Sequence, residues 1–377
     1  MARMKICHLI YDDVDNPWLG GGGAVRAREI YRRLADKHEI TLVSGSYPGS
    51  SPDEMVDGIR HLRVGVSSSY VSSRLSYCRR ALACLRSLQW DVWVHEFSAF
   101  APLWPSRALR RRGVLFFYHF VGHHALHKHP LVGSLAWAAE ALTLRAYERI
   151  VAISPSVQDQ LRAKRGASAA VDCLYTGVDD RYFHLDSIEE ETEPYILYFG
   201  RLDVHTKGID ILLSAFARIA AEFPRVKLIL AGRSAPDQRQ HAQHLIAALG
   251  LQSQVILHGD GAVSEAEKDE LLRRCLFLCM PSRYEGWGIV AVEAAAAGKA
   301  VLGTRIPGLA DAVQEGQTGL LVPSADEAGL ATGMRQLLTQ PDLRSRLGSA
   351  GRVWAKRFDW DTIARSQEEL LELVARG

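Results

Sequence analysis

Two glutamates eight residues apart, Glu285 and Glu293, stand in the stretch Pro281-Ser-Arg-Tyr-Glu-Gly-Trp-Gly-Ile-Val-Ala-Val-Glu293. This stretch begins where the apolar run Leu276–Met280 ends and leads into an alanine-rich segment that predicts a helix. A buried strand passing through a glycine-bearing turn into a helix aims free backbone N–H groups at one point in space. Eight residues at 3.6 per turn bring Glu293 back to within ~80° of Glu285. Two carboxylates beside a cluster of N–H donors suit a ligand with both hydroxyls and anionic groups, such as a nucleotide sugar. The pair taken alone also fits two solvated helix glutamates, or an acid/base pair flanking one bond.

Two further clusters bear on the choice. Gly200-Arg-Leu-Asp-Val-His-Thr-Lys-Gly208 leaves the apolar run Tyr195–Phe199. It places Arg201 and Lys207 in a loop at the carboxyl end of a strand, where open α/β sheets bind ligands. A guanidinium and a point-charge ammonium there suit a diphosphate. The first glycine cluster, Gly20–Gly23, follows the first strand and precedes a helix, which lets backbone approach a ligand closely. It is not the dinucleotide fingerprint, because Val25 and Arg26 fall where the third glycine would stand. A P-loop is also absent, since Gly298-Lys299 is followed by Ala300.

These residues need a scaffold, and the chain reads as one. Apolar runs predict strands at Ile6–Ile10, Ile40–Val43, Val92–Val94, Val114–Tyr118 and Ile150–Ile153, then at Tyr195–Phe199, Val226–Leu230, Val255–Leu257, Leu276–Met280, Ala300–Leu302 and Leu320–Val322. Helical periodicity fills the gaps, as in Ala24–Lys37 and Gly208–Glu222. Strands without alternation between helices imply parallel sheets covered on both faces, the doubly wound α/β class. Each of the two sets holds five or six expected strands. The acidic, proline-closed stretch 179–194 reads as a linker between a first domain, 1–178, and a second, 195–359. An amphipathic last helix, about 360–377, is expected to return to the first domain.

At 377 residues the chain is long for one core. Its composition, 47% hydrophobic and 23% charged, is that of a globular protein without a membrane span. Neither a signal peptide nor a C-x-x-C pair is visible, and the six scattered cysteines read as buried thiols in a reducing cytoplasm. The net charge of +2 divides unevenly: +6 through Asp180 and −4 beyond it. A basic first half points to solvated helix faces, or to an anionic acceptor or membrane surface. Nucleic acid is not expected, because stacking aromatics do not interleave the arginines.

Gly200-Arg201, Lys207-Gly208, the Glu285–Glu293 block and Gly316-Gln-Thr-Gly-Leu-Leu-Val322 together resemble the signature of the GT-B fold, family-4-type retaining glycosyltransferases (glycosyl transferases group 1). Tyr175-Thr-Gly-Val-Asp179, the first glycine cluster and Phe358-Asp-Trp360 extend the resemblance over nearly the whole chain. It implies two Rossmann-like domains facing across a cleft, with the donor nucleotide sugar held by the second and the acceptor by the first. It further implies that Arg201 and Lys207 bind the donor diphosphate, Glu285 the transferred sugar and Glu293 the ribose. Backbone at Gly286, Trp287, Gly288, Ile289 and Val290 would line sugar and phosphate, with Gly21, Gly22, Gly23 and Gly200 nearby and Gly259 against the base. His119, which ends the strand Val114–Tyr118, would face the reacting sugar.

The same resemblance implies transfer from a UDP- or GDP-hexose to an acceptor hydroxyl, lipid-linked or glycan, with the anomeric configuration retained. The diphosphate would be neutralised by Arg201, Lys207 and helix N-termini, with neither metal nor cofactor. His123, His124, His127 and His129 are accordingly expected to line an acceptor entrance and not to bind a metal. Glu96 is expected either to orient an acceptor hydroxyl or to sit in a solvated loop. Departures are Trp287 for the commoner phenylalanine and Ile306-Pro-Gly308 for a glycine pair. A sugar-nucleotide epimerase or hydrolase of the same fold is the alternative. The setting expected is cytoplasmic, with peripheral contact at the inner membrane face through the basic first domain.

Overall fold

A computed structural model describes residues 3–18, 21–120, 130–166, 170–185, 193–259 and 263–376. The chain divides into two compact units. One runs through Thr176 and takes up the chain again at Trp360; the other is Gly177–Asp359.

In the first unit, β1 (Lys5–Leu9), β2 (Glu39–Gly45), β5 (Val92–Glu96), β6 (Gly113–Phe117) and β7 (Arg149–Ala152) follow the apolar runs to within one or two residues. Three more strands join them: β3 (Asp53–Val56), β4 (Ile59–Val64) and β8 (Ala170–Cys173). The sheet therefore has eight strands, in the order β3-β4-β2-β1-β5-β6-β7-β8, and not the expected five or six. The extra strands carry polar residues and build out the rims of the sheet: β3 and β8 are edge strands, where one side of the backbone faces water and an apolar run is not required, and β4 lies between β3 and β2. β3 pairs antiparallel to β4 across Asp57-Gly58, both with positive φ (52° and 76°), the geometry of a primed two-residue hairpin turn.

The second unit holds a six-stranded parallel sheet, β11-β10-β9-β12-β13-β14, with β9 Tyr195–Phe199, β10 Lys227–Ala231, β11 Val255–His258, β12 Phe277–Met280, β13 Ala300–Thr304 and β14 Gly319–Val322. Its strands read as continuous apolar runs because helices bury both faces, as for Leu197, Leu228, Leu278 and Leu302, all 0% exposed. The expected helix Gly208–Glu222 is regular only over Ile209–Ala217 before it loosens into turns.

The last helix, Trp360–Arg376, belongs to the first unit and packs on the helix Gly22–Leu34. Its apolar stripe, Ile363, Ala364, Leu371 and Val374, enters the same core as Ile30, Tyr31 and Leu34. Arg33–Asp361, at 2.6 Å, and Lys37–Glu368, at 2.9 Å, fix the register from outside. The stretch expected as a linker is partly structured. Asp180–His184 forms a 3-10 turn capped by Asp179, and Tyr182 is 1% exposed. Beside it, the Val178 N–H donates to the Phe358 carbonyl at 2.7 Å, so the chain enters and leaves this unit side by side.

Candidate active site

In each sheet the strand order reverses once. In the second unit the reversal lies between β9 and β12, because β9 leads outward to β10 and β12 to β13. Loops leaving two such strands diverge above and below the sheet and open a crevice at the carboxyl edge. Arg201 and Lys207 lie on the loop after β9; Glu285 and Gly286–Gly288 lie on the loop after β12.

Close backbone contact locks these loops together. Gly208 has φ +68°, and a Cβ there would lie 2.1 Å from the Pro281 carbonyl oxygen. Gly308 has φ +81°, and a Cβ would lie 2.5 Å from the Glu285 carbonyl oxygen. Any side chain at either position must both adopt a left-handed conformation and displace backbone. Gly208→Ala is therefore expected to destabilise the second unit by about 1–3 kcal/mol and to weaken ligand binding at this edge. Denaturant melts with and without nucleotide check both effects, and an unchanged midpoint would refute the close packing.

The sequence gives no sign of what Arg283 does. Its guanidinium forks onto the Asp210 carboxylate, with both bonds at 2.8 Å. The same side chain donates to the His205 carbonyl at 2.7 Å, and its own N–H donates to the Thr206 carbonyl at 3.0 Å. It joins the two loops and thereby holds Lys207 next to Glu285. The Lys207 Nζ donates to the Glu285 Oε2 at 2.6 Å, with both side chains mostly buried. Arg201 is exposed beside them and makes no side-chain hydrogen bond or ion pair among the described residues. Gly200 ends β9; Trp287 is buried with its ring 5.2 Å from that of Phe358, edge to face.

The helix Ile289–Ala296 starts on the Glu285 loop, with Gly288 as N-cap. Its first turn contains Ile289 and Val290. The N–H groups of Val290 and Ala291 have no backbone partner among the described residues, whereas that of Val292 bonds the Gly288 carbonyl at 3.1 Å. Free donors and the positive end of a helix dipole thus adjoin Glu285, a combination that attracts anionic oxygens.

Glu293 lies one helix turn deeper and does not pair with Glu285. It is 9% exposed, and its Oε1 accepts from the Lys268 Nζ at 2.8 Å. Its Oε2 is buried with no hydrogen-bond partner among the described residues. Burial pushes the Glu293 pKa up, and Lys268 draws it partly back. Burial works against the Lys268 ammonium, yet Glu293 and Tyr182 hold its pKa above the usual lysine range. The ammonium also lies 5.2 Å from the Phe199 ring centre and 5.3 Å from that of Tyr182. Burial and the Glu293 charge push the Tyr182 hydroxyl up to about 12. Lys268 and Tyr182 escaped the sequence reading. Lys268 sits in the charged run Glu-Ala-Glu-Lys-Asp-Glu, and its burial follows only from the helix Glu265–Arg274 turning that residue inward. Gly259 follows β11 with φ +71°, and 260–262, the rest of its loop, lie outside the described residues.

In the first unit the reversal falls between β1 and β5. Gly21, Gly22 and Gly23 lie there at the start of the helix Gly22–Leu34. Two acids occupy this helix end. The Asp12 Oδ2 accepts from the Gly21 N–H at 2.7 Å, and a Cβ on Gly23 would lie 2.2 Å from the Glu96 Oε1. Glu96 is not in a solvated loop: it ends β5, 8% exposed, 3.0 Å from the His8 Nε2. Gly23 is the residue that makes room for it.

Burial pushes the Asp12 pKa up to about 7, with the nearby Glu96 and Asp13 charges adding to it and the Gly21 and Asp13 amides opposing it. A carboxyl whose pKa is higher folded than unfolded binds protons more tightly in the folded state, so stability falls as pH rises through that window. Asp12 is thus expected to cost the chain stability as pH rises from about 4 to about 7. Asp12→Asn, which keeps an acceptor for Gly21, should flatten that slope in urea melts; an unchanged slope would disprove it. His119 follows β6 by two residues and is exposed. His123, His124, His127 and His129 lie outside the described residues. Among the described residues, no cluster of three His, Cys, Asp or Glu side chains could hold a metal ion. No described helix is long and apolar enough to cross a membrane, and none of the six cysteines forms a disulfide among the described residues.

Comparison with known proteins fits both halves. Residues 20–182 match the family described as Glycosyltransferase Family 4, and residues 182–354 the one described as Glycosyl transferases group 1. A glycogen synthase of Mycobacterium tuberculosis is 30% identical over 248 residues, which are 64% of this chain and 58% of that protein. The match therefore covers less than two thirds of that relative's length. Among solved structures, sucrose-phosphate synthase from Thermosynechococcus elongatus superposes with a TM-score of 0.83 at 20% identity over 100% of both chains. Anabaena HepE in complex with UDP-glucose does so at 0.75 and 19% identity, over 98% of this chain and 100% of the other. These structures share the GT-B architecture of two α/β units. With the two family matches running consecutively from residue 20 to 354, the chain belongs to the family-4-type, group 1 glycosyltransferases.

Proposed function

We propose that the protein moves a hexosyl group from a nucleoside-diphosphate sugar, UDP- or GDP-linked, to an acceptor hydroxyl and retains the anomeric configuration. The observation that carries this reading is the pairing of Lys207 with Glu285 at the β9/β12 reversal, beside the exposed Arg201 and the free amides of Val290 and Ala291. A cation, a carboxylate and N–H donors at one point can take a diphosphate and a sugar hydroxyl together. HepE, a structural neighbour, has been solved with UDP-glucose.

In this reading Arg201 and Lys207 stabilise the diphosphate as it leaves and the anomeric carbon gains positive charge. Lys207 exchanges its bond to Glu285 for phosphate oxygens, which frees Glu285 to accept from the sugar hydroxyls. The free Glu293 Oε2 accepts from the ribose. The acceptor attacks from the face the diphosphate leaves, and the departing phosphate oxygen takes its proton. Glu285 is then a positioning group and not a nucleophile. No metal or cofactor has a part in this reading. His119 serves the reacting sugar, and the first unit serves an acceptor that is lipid-linked or a glycan.

Thermal shifts with UDP-, GDP- and ADP-sugars test the donor site. A ligand at a hundred times its Kd adds about 2.7 kcal/mol to apparent stability. One nucleotide class should raise the melting temperature, and anomer analysis of the product formed with an acceptor should show retention. No shift with any of them, or an epimerised sugar formed from donor alone, would overturn the proposal.

A further inference from the structure

The two faces of the first sheet differ in how their charges are treated. β1 to β2 crosses the sheet in one direction, whereas β4 to β5 and β6 to β7 cross it in the other. Right-handed connections therefore place the helices Tyr70–Ser87 and Pro130–Ala146 on one face and Gly22–Leu34 on the opposite one. Side chains agree. His95, at an odd position of β5, reaches Tyr147 on the first of these faces, and Tyr11, just past β1, meets Tyr77 of the helix Tyr70–Ser87, while Ile6 and Val94, at even positions, enter the core with Ile30 on the other.

On the Gly22–Leu34 face most surface cations have an acid beside them, as in Arg33–Asp361, Arg33–Glu29 and Lys37–Glu368, with Arg365 an exception. On the other face they do not. From residue 66 to residue 147 the sequence holds ten Lys and Arg against three Asp and Glu. Of those three acids, Glu96 and Glu140 are buried. Arg79, Arg80, Arg86, Arg111 and Arg145 are exposed and form no ion pair among the described residues. Uncompensated arginines repel one another unless an anionic surface lies against them.

The same face exposes apolar side chains in helical register. Leu131 is 84% exposed, Leu135 72% and Leu142 53%, with Ala138 completing one stripe along the helix. Val71 and Leu75 repeat the pattern on the helix Tyr70–Ser87. Both helices run opposite to the strands, so their apolar ends lie toward the carboxyl edge of the sheet and their arginines toward the amino edge. Trp104 and Trp137, each about half exposed, add interfacial aromatics.

We propose that this face is a docking surface for an anionic lipid bilayer, with the Leu131–Leu135–Leu142 stripe entering the headgroup boundary and the arginines meeting lipid phosphates. A protein groove would not call for unpaired cations across a whole face, whereas an apolar stripe flanked by arginines without acids is what a membrane-surface helix carries. The inference goes beyond the transfer reaction, and its test reads binding and not turnover, so the two can fail separately.

The full chain is sedimented with vesicles of phosphatidylcholine alone and of phosphatidylcholine mixed equally with phosphatidylglycerol. Binding is expected only to the second kind and should weaken with salt. Leu131→Asp with Leu135→Asp, and separately Arg79→Glu with Arg80→Glu, should each lower it by about tenfold or more. Arg365→Glu, on the opposite face, should leave it unchanged. All changed side chains are exposed, and circular dichroism confirms folding. Equal binding to both vesicle kinds, or wild-type binding by the leucine and arginine variants, would overturn the proposal. So would self-association that the leucine changes abolish in a chain that binds no vesicles, since the stripe would then serve a second copy.

Discussion

Replacing Lys207 or Arg201 by alanine should lower the turnover number by about 10²–10³-fold each while the fold persists. In the proposed mechanism both act on charge that grows as the diphosphate leaves, so the loss should fall on kcat and not only on KM. Arg201 is exposed and unpaired among the described residues, so its removal leaves no buried group unsatisfied. Lys207 is held to Glu285 at 2.6 Å, and its loss strands a carboxylate that keeps partial access to water. The structural cost is that of one unmade hydrogen bond, about 1–3 kcal/mol, which far-ultraviolet circular dichroism and urea melts would resolve. Near-normal turnover in both variants would sink the assignment of this crevice to the donor diphosphate.

Lys268→Met should have the largest effect on stability. It leaves Glu293 buried with neither oxygen compensated, and breaking one side of a buried pair costs about 3–5 kcal/mol. The sign with pH follows from the raised pKa of Glu293. A carboxyl of this kind is tolerated while protonated and costs stability once it must ionise, so the deficit of the variant should be smaller near pH 5 than near pH 8. Nucleotide affinity should fall as well, because a protonated Glu293 accepts hydrogen bonds poorly. Glu293→Gln in the same chain should restore much of the loss, giving a coupling well above ~0.5 kcal/mol in a double-mutant cycle. Additive effects, or a deficit independent of pH, would refute the pairing as the source.

Both predictions rest on one arrangement, and its parts were not equally visible in the sequence. Arg201, Lys207 and Glu285 could be named because glycine and apolar runs around them announce strand, turn and helix. Local spacing carries that information. Arg283 could not be named, since the Asp210 it grips is 73 residues away and belongs to the helix Ile209–Ala217. Lys268 was hidden in a run of charges that reads as a solvated helix face. Of that run the helix turns Lys268 alone inward, against Tyr182 and Phe199, and only packing shows it.

In the first unit, apolar runs yielded the central strands and missed the edges, where one side of the backbone meets water and sequence need not be apolar. Glu96 stayed ambiguous for a related reason. It ends a strand, where a carboxylate can turn toward solvent or inward, and the space left by Gly23 turns it inward.

By itself, then, the sequence determined two doubly wound units, the return of the last helix, and where along the chain the residues proposed for a diphosphate and a sugar stand. Strand and helix periods and glycine turns are short-range properties, written where they act. The tertiary structure decided which carboxylate takes which lysine: Glu285 with Lys207 at the rim, and Glu293 with Lys268 beneath it. It also decided which arginines are left without acids. Pairing depends on which side chains the crossovers bring to one face, and that is set by the order of strands in the sheet.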